Sequence, residues 1–214
     1  VDSGTLASRL TALLAPGTDP GRLLQYREDL LRFNRGHNLV SRAGGPRLVD
    51  DLIVECVAAA SHPHFATAGR ILDLGSGAGF PGIPLALVRP GIRLLLLERR
   101  ATACTFLRRE RVALGLADRV EIEEADSGEA FHRKEGLRTA FSLGVMKAVA
   151  PPPRALALLH PFLEPGGRAI LFHTPSYRPE PQIPADRWDW EGAWSLPSAA
   201  QLPRPAALQV FLRL

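Results

Sequence analysis

A chain of 214 residues, 46% hydrophobic and 22% charged with a formal charge of +4, is long enough to bury a full core as one domain with an appendage or as two small domains. No apolar run reaches the roughly 18–20 residues of a membrane span, and the opening VDSGTLASRL lacks the charged flank and apolar centre of a signal peptide, so a cytoplasmic protein without membrane attachment is expected. The basic balance is compatible with a polyanionic partner; Lys134 and Lys147 are the only lysines, and an Arg-rich surface suits phosphate but follows equally from a biased genome composition.

In chain order, residues 5–15 and 21–35 read as amphipathic helices separated by the breaker APGTDPG. In the second helix Leu23, Leu24, Tyr26, Leu30, Leu31 and Phe33 share one face. GHNLVSRAGGP reads as a loop and 47–60 as a third helix, so residues 1–65 form a helical segment expected to pack on the core formed by residues 66–214. His62 and His64, in SHPHF, have a spacing that suits neither a helical metal pair nor a cap, and a surface loop is expected there. Cys56 and Cys104 lie far apart, without a CxxC or Cys/His cluster, so buried thiols and no metal site are expected.

From Gly69 the pattern changes. Short apolar runs at 70–74, 91–98, 119–125, 141–146 and 167–172 alternate with helical patterns at 82–89, 101–115 and 150–163. Continuous apolar strands between helices indicate an α/β fold with a doubly wound, mostly parallel Rossmann-like sheet covered on both faces. The prolines at 175, 179, 181 and 184 argue against a helix over 174–186. RWDWEGAWSL suits a strand or a loop, and 207–214 a final strand.

Between the first two strands stands Asp73-Leu74-Gly75-Ser76-Gly77-Ala78-Gly79-Phe80-Pro81-Gly82. Glycine admits positive φ and lets a ligand lie against the backbone. Gly77, Gly79 and Gly82 fit GxGxxG, which a dinucleotide would use, but there the first glycine sits directly at the strand end. Gly75 holds that place here, and counting from it puts Phe80 where the third glycine belongs. Glu98 ends the second strand and can accept from a ribose diol, which NAD and S-adenosylmethionine both carry. After the third strand, Asp126 or Ser127 reads equally as a helix N-cap or as part of a ligand site.

The D-x-G-x-G-x-G pattern resembles the first motif of the Rossmann-like S-adenosylmethionine methyltransferases. Beyond it, LLQYREDLLRFNRGHNLVS (with Asn34, Asn38, Leu39 and Ser41), LDLGSGAGFPGIPLALVRP and MKAVAPPPRALALLHPFLEPGG resemble one family, the bacterial small-subunit (16S) ribosomal RNA guanine-N7 methyltransferases, also called glucose-inhibited division protein B. The resemblance implies S-adenosyl-L-methionine as cofactor, small-subunit ribosomal RNA as partner and a monomer. It places Asp73, Gly75, Ser76, Gly77, Gly79, Phe80, Glu98, Asp126, Gly128 and Glu129 at the cofactor. Asp73 would serve the ammonium of the methionine moiety, the exposed helix N-terminus its carboxylate, and the segment at Gly128 and Glu129 the adenine edge. Asn38, Lys147 and His173 fall at the RNA substrate, with Lys147 positioning it.

Several basic positions of the family are replaced: its Ser-Arg-Ala reads Met146-Lys147-Ala148 here, its Gly-Arg-Ala-Glu reads Asp126-Ser127-Gly128-Glu129, and its Lys-Gly reads His173-Thr174. The implied reaction is methyl transfer to guanine N7, whose in-plane lone pair needs no general base. The alternative is a paralogue that binds the cofactor without methylating and acts as a ribosome-associated or regulatory protein.

Overall fold

A computed structural model describes residues 5–16, 18–173 and 183–214. Of the proline-rich stretch read as non-helical, residues 174–182 lie outside the described residues. Four helices come first: α1 (Leu6–Leu13), α2 (Gly21–His37), α3 (Gly45–Ala59) and the short α4 (Pro63–Thr67). Strands and helices then alternate through β1 (Arg70–Leu74), α5 (Gly82–Val88), β2 (Arg93–Glu98), α6 (Ala101–Ala113), β3 (Val120–Glu124), α7 (Ser127–Arg133), β4 (Phe141–Lys147), α8 (Pro152–Leu159) and β5 (Leu163–His173). Two strands close the chain, β6 (Trp188–Ser195) and β7 (Ala207–Arg213).

Among the described residues seven strands form one sheet in the order β3-β2-β1-β4-β5-β7-β6. Pairing is parallel from β3 to β5; β7 lies antiparallel against both β5 and β6. The strand order reverses between β1 and β4, and in open sheets of this kind ligands bind at the carboxyl ends beside that reversal. The run RWDWEGAWSL, open to either reading, is a strand, and β5 begins earlier than its apolar run because Gly166, at φ +78°, lets an irregular turn join the ladder.

Each face of the sheet carries its own core. On one face Ile71, Leu94, Leu96, Leu143, Val145 and Ile170 join Leu10, Tyr26, Leu30, Ile53, Phe65, Ile83 and Phe106 in a single cluster, so the N-terminal helices share a core with the sheet. On the other face Leu72, Leu95 and Leu97 pack under Ala130, Leu156 and Leu159 of α7 and α8. Alternate residues of β1 and β2 therefore enter opposite cores, which is why both strands read as unbroken apolar runs. Cys56 and Cys104 are buried free thiols.

The SHPHF segment departs from its reading as a surface loop. His62 is buried and caps α4, its Nδ1 accepting from the His64 backbone N–H at 3.3 Å. Burial lowers its pKa to about 4, the His64 charge adding to the effect, so the ring is neutral and free to accept. Pro63 in the first turn starts the helix at no hydrogen-bond cost. Among the described residues no helix is long and apolar enough to cross a membrane.

Candidate functional site

The loop from Gly75 to Pro81 leaves β1 in a tight bend held from three sides. From the neighbouring strand, the Leu97 carbonyl accepts the Gly75 N–H at 2.8 Å. From beneath, Ser76 Oγ donates to the Asp73 carbonyl at 2.9 Å, and Asp73 Oδ2 accepts the Gly82 N–H at 2.8 Å. From the helical segment, the hydroxyl of fully buried Tyr26 donates to the Ala78 carbonyl at 2.8 Å, while its ring meets Phe80 edge-on at 5.7 Å. Gly75 and Gly77 have φ of +78° and +58°, a region that costs other residues about 1–2 kcal/mol, and both turn bare backbone to the outside.

That backbone floors a cavity of about 680 Å³ at the carboxyl end of the sheet, lined also by Leu97, Glu98, Arg99 and Arg100 after β2 and by Ala125, Asp126 and Ser127 after β3. Its far wall is Ala148, Val149 and Ala150 after β4, with Arg154 and Leu158 of α8. Ala148, in that wall, holds φ +55°, a strained conformation for alanine. Glu98 is 5% exposed and accepts three hydrogen bonds from the chain itself: Oε2 accepts the Gly77 N–H at 2.8 Å, and Oε1 accepts the Arg100 N–H at 2.8 Å and Arg100 Nε–H at 3.2 Å. Asp126 both lines the cavity and caps α7, its Oδ1 accepting the Gly128 N–H at 2.9 Å, so its two readings coexist.

Of the residues expected at a cofactor, Gly75, Gly77, Glu98 and Asp126 come together in this cavity, and Asp73, Ser76, Gly79, Phe80, Gly128 and Glu129 do not line it. Asp73 is completely buried, its Oδ1 lacks a hydrogen-bond partner, and burial drives its pKa up to about 7 against the pull of the Gly82 N–H. Ser76 and Phe80 are buried, and Gly79 sits against Ile83 and Leu107; all three serve the core under the loop. The α5 N-terminus is not the exposed anion site expected of it. Gly82 and Ile83 are buried, and their N–H groups are taken by Asp73 Oδ2 and by the Gly79 carbonyl at 2.7 Å. The Gly128 N–H is spent on the α7 cap, and Glu129 pairs with Arg133 at 2.5 Å on an exposed face; Ala125 and Ser127 stand in the cavity wall instead.

The residues expected at RNA also lie outside the cavity lining. Lys147 ends β4 with its ammonium 2.6 Å from Glu55 Oε2 of α3 and 5.0 Å from the Phe172 ring centre, and only 12% of its side chain is exposed. Asn38 caps α2 at φ +47°, a left-handed position asparagine tolerates, while Asn34 closes the following loop through two 2.9 Å bonds with Val40. His173 ends β5 opposite Ala207. Sequence reasoning missed Arg99, Arg100 and Arg154; the run Glu98-Arg99-Arg100 directly after a strand was the available signal for the first two.

A glycine loop over a sheet of this order defines the class: the fold is the Rossmann-like one of S-adenosylmethionine-dependent methyltransferases. The mitomycin 7-O-methyltransferase MmcR superposes with a TM-score of 0.61 at 16% identity, over 99% of this chain and 74% of that one. The S-adenosylmethionine-dependent methyltransferase SibL superposes with 0.60 at 18%, over 88% and 70%. Within the class, residues 21–194 match the family model for rRNA small subunit methyltransferase G, and the chain belongs to that family. Two relatives of that name are similar: one from Frankia casuarinae at 36% identity over 71% of this chain and 56% of its own length, another from Frankia alni at 43% over 58% and 47%. The chain thus spans about half the length of these curated relatives.

Proposed function

We propose that this protein is an S-adenosylmethionine-dependent methyltransferase that modifies N7 of a guanine in small-subunit ribosomal RNA. The observation that carries the cofactor half is the cavity itself, with bare backbone at Gly75 and Gly77, a strand-end carboxylate at Glu98 and an acceptor at Asp126 on one lining. Membership of the rRNA small subunit methyltransferase G family carries the substrate half.

The residues present suit a nucleoside. Glu98 offers carboxylate oxygens for a ribose diol, Asp126 Oδ atoms suit an exocyclic amino group, and Leu97 with Leu158 supplies apolar walls for a base. A side chain on Gly75 would collide with Val149, so the bare backbone keeps the floor of the cavity low. Asp73 and Ser76 act from below by fixing the loop, with Tyr26 completing the clamp.

The cofactor, when bound, supplies an electrophilic methyl on a sulfonium. What the chain contributes is position. Guanine N7 has an in-plane lone pair and no proton, so the reaction asks no side chain to remove one. Catalysis would then rest on position, with the cavity lining at Gly75, Gly77, Glu98 and Asp126 holding the cofactor for a guanine brought to its mouth. A-form RNA presents N7 in a deep, narrow groove, which favours a splayed or unpaired guanine as substrate. Lys147, held by Glu55 at the sheet's carboxyl edge, steers the RNA backbone rather than the base, because a cation beside a base gaining positive charge would oppose transfer.

A second reading has its own observation. The Lys147 ammonium is already neutralised by Glu55, which suits a paralogue that binds the cofactor as a ribosome-associated or regulatory protein without transferring methyl. Tritiated methyl transfer to deproteinised small-subunit RNA, with mapping of the modified base, separates the two. Label on a guanine N7 supports the first. Calorimetric binding of S-adenosylhomocysteine without any transfer supports the second, and heat with NADH alone refutes both.

A further inference from the structure

Three arginines line the cavity: Arg99 and Arg100 from the turn between β2 and α6, and Arg154 from α8. Among the described residues neither Arg99 nor Arg154 has an ion-pair or hydrogen-bonding partner. Lys147, by contrast, is paired with Glu55. Among the described residues, Arg99 and Arg154 therefore bring unpaired positive charge to two sides of the cavity.

Arg100 is arranged differently from the other two. Its Nε–H sits on Glu98 Oε1, and its guanidinium lies over the glycine loop, where a Cβ built on Gly77 would come within 3.5 Å of it. A carboxylate offers about four lone-pair positions. Three on Glu98 are occupied, by the Gly77 N–H, the Arg100 N–H and Arg100 Nε–H. One position remains, on Oε2, whereas a ribose diol brings two donors. The second hydroxyl finds an acceptor only when Arg100 Nε leaves. The Arg100 side chain is 47% exposed and can swing outward while its backbone N–H stays on Oε1, so the exchange trades one donor for another at little cost.

We propose that Arg99, Arg100 and Arg154 form a site for successive phosphodiesters of the RNA strand, completed when the cofactor ribose displaces the Arg100 guanidinium from Glu98. The inference rests on the cofactor and RNA reading above and names the residues that couple the two ligands. Guanidinium forks match phosphate oxygens two at a time, and a fork released from a carboxylate regains its charge-assisted bonds only on another anion. Cofactor and RNA thus do not compete, and each prepares the site for the other. By linkage the coupling is reciprocal.

Fluorescence anisotropy of a fluorescein-labelled single-stranded RNA 12-mer tests this, with and without saturating S-adenosylhomocysteine, across a salt series; calorimetry of S-adenosylhomocysteine is run in parallel. Wild type is expected to bind the RNA about fivefold or more tightly when S-adenosylhomocysteine is present. The slope of log affinity against log salt should steepen by about 0.7, the increment for one further phosphate on a single strand. Arg99→Ala and Arg154→Ala should each flatten that slope by about 0.7 in both conditions. Arg100→Ala should bind S-adenosylhomocysteine at least as tightly as wild type yet lose the fivefold gain. Equal RNA affinity and slope with and without S-adenosylhomocysteine overturns the coupling, and unchanged slopes in the Arg99 and Arg154 variants overturn the phosphate site, while the cofactor reading survives on its own heat. Absence of that heat in wild type removes the cofactor reading and this inference with it.

Discussion

Replacing Asp73 by asparagine should reverse the sign of its effect on stability between acid and alkaline pH. Asp73 is fully buried beneath the glycine loop, one oxygen accepting the Gly82 N–H and the other unpartnered. Burial raises its pKa from 3.8 to about 7, with a smaller push from the Glu98 charge, against the Gly82 and Ser76 hydrogen bonds. Between these two values the folded protein keeps a proton that the unfolded chain has released, so stability falls as pH rises through the window and levels off above about 7. Over pH 4.5 to 8 this corresponds to up to about 3 kcal/mol, at 1.36 kcal/mol for each pH unit of the window. The asparagine side chain has no such dependence, but its NH2 brings a donor into a site without an acceptor, at roughly 1–3 kcal/mol. Asp73→Asn is therefore expected to be less stable than wild type at pH 4.5 and more stable at pH 8, with the curves crossing between. Urea unfolding followed by the fluorescence of Trp188, Trp190 and Trp194 measures both without ligand. A stability difference that stays constant across this range would refute the assignment of a protonated, buried Asp73.

Three further outcomes follow from single contacts. Tyr26→Phe keeps the ring packed on Phe80 but loses the 2.8 Å bond to the Ala78 carbonyl; it should cost about 1 kcal/mol in urea unfolding and weaken S-adenosylhomocysteine binding in calorimetry, and an unchanged affinity would mean the loop needs no anchor from α2. Gly82→Ala puts a methyl against Leu96 and, at 2.6 Å, against Asp73 Oδ2, at a cost of about 1–3 kcal/mol, whereas Gly36→Ala on the open face of α2 meets nothing within 4 Å and should stabilise by roughly 0.4–1 kcal/mol; thermal melts of the pair decide it. Lys147→Ala strands the largely buried Glu55 carboxylate and should cost roughly 1–3 kcal/mol, lowering RNA methylation while leaving S-adenosylhomocysteine affinity near wild type; equal loss of both would remove Lys147 from the substrate side.

The amino-acid sequence by itself determined what local chemistry can encode. The 3.6-residue periodicity of α2 and the unbroken apolar runs of β1 and β2 each report a burial pattern within one element, and five consecutive strands were legible for that reason. The glycine spacing and the acid at the end of β2 were legible too, since a backbone that must bend with positive φ leaves glycine as its trace. RWDWEGAWSL stayed open because Gly192, at φ +127° beside a break in register, interrupts its alternation, and only its pairing with β7 settles it.

Which side chains of a motif face outward was not written in the motif. Ser76 sits between two cavity-lining glycines yet turns inward onto the Asp73 carbonyl, and Phe80 turns into the core against the ring of Tyr26, which also reaches Ala78 from 52 residues away. Lys147 reads as a free cation until α3 brings Glu55 to it across 92 positions, and Arg154 joins Arg99 and Arg100 only when α8 folds over the sheet's carboxyl edge. Burial and pairing of charge depend on what arrives from elsewhere in the chain. Tertiary structure alone decided which charges remain available to a ligand.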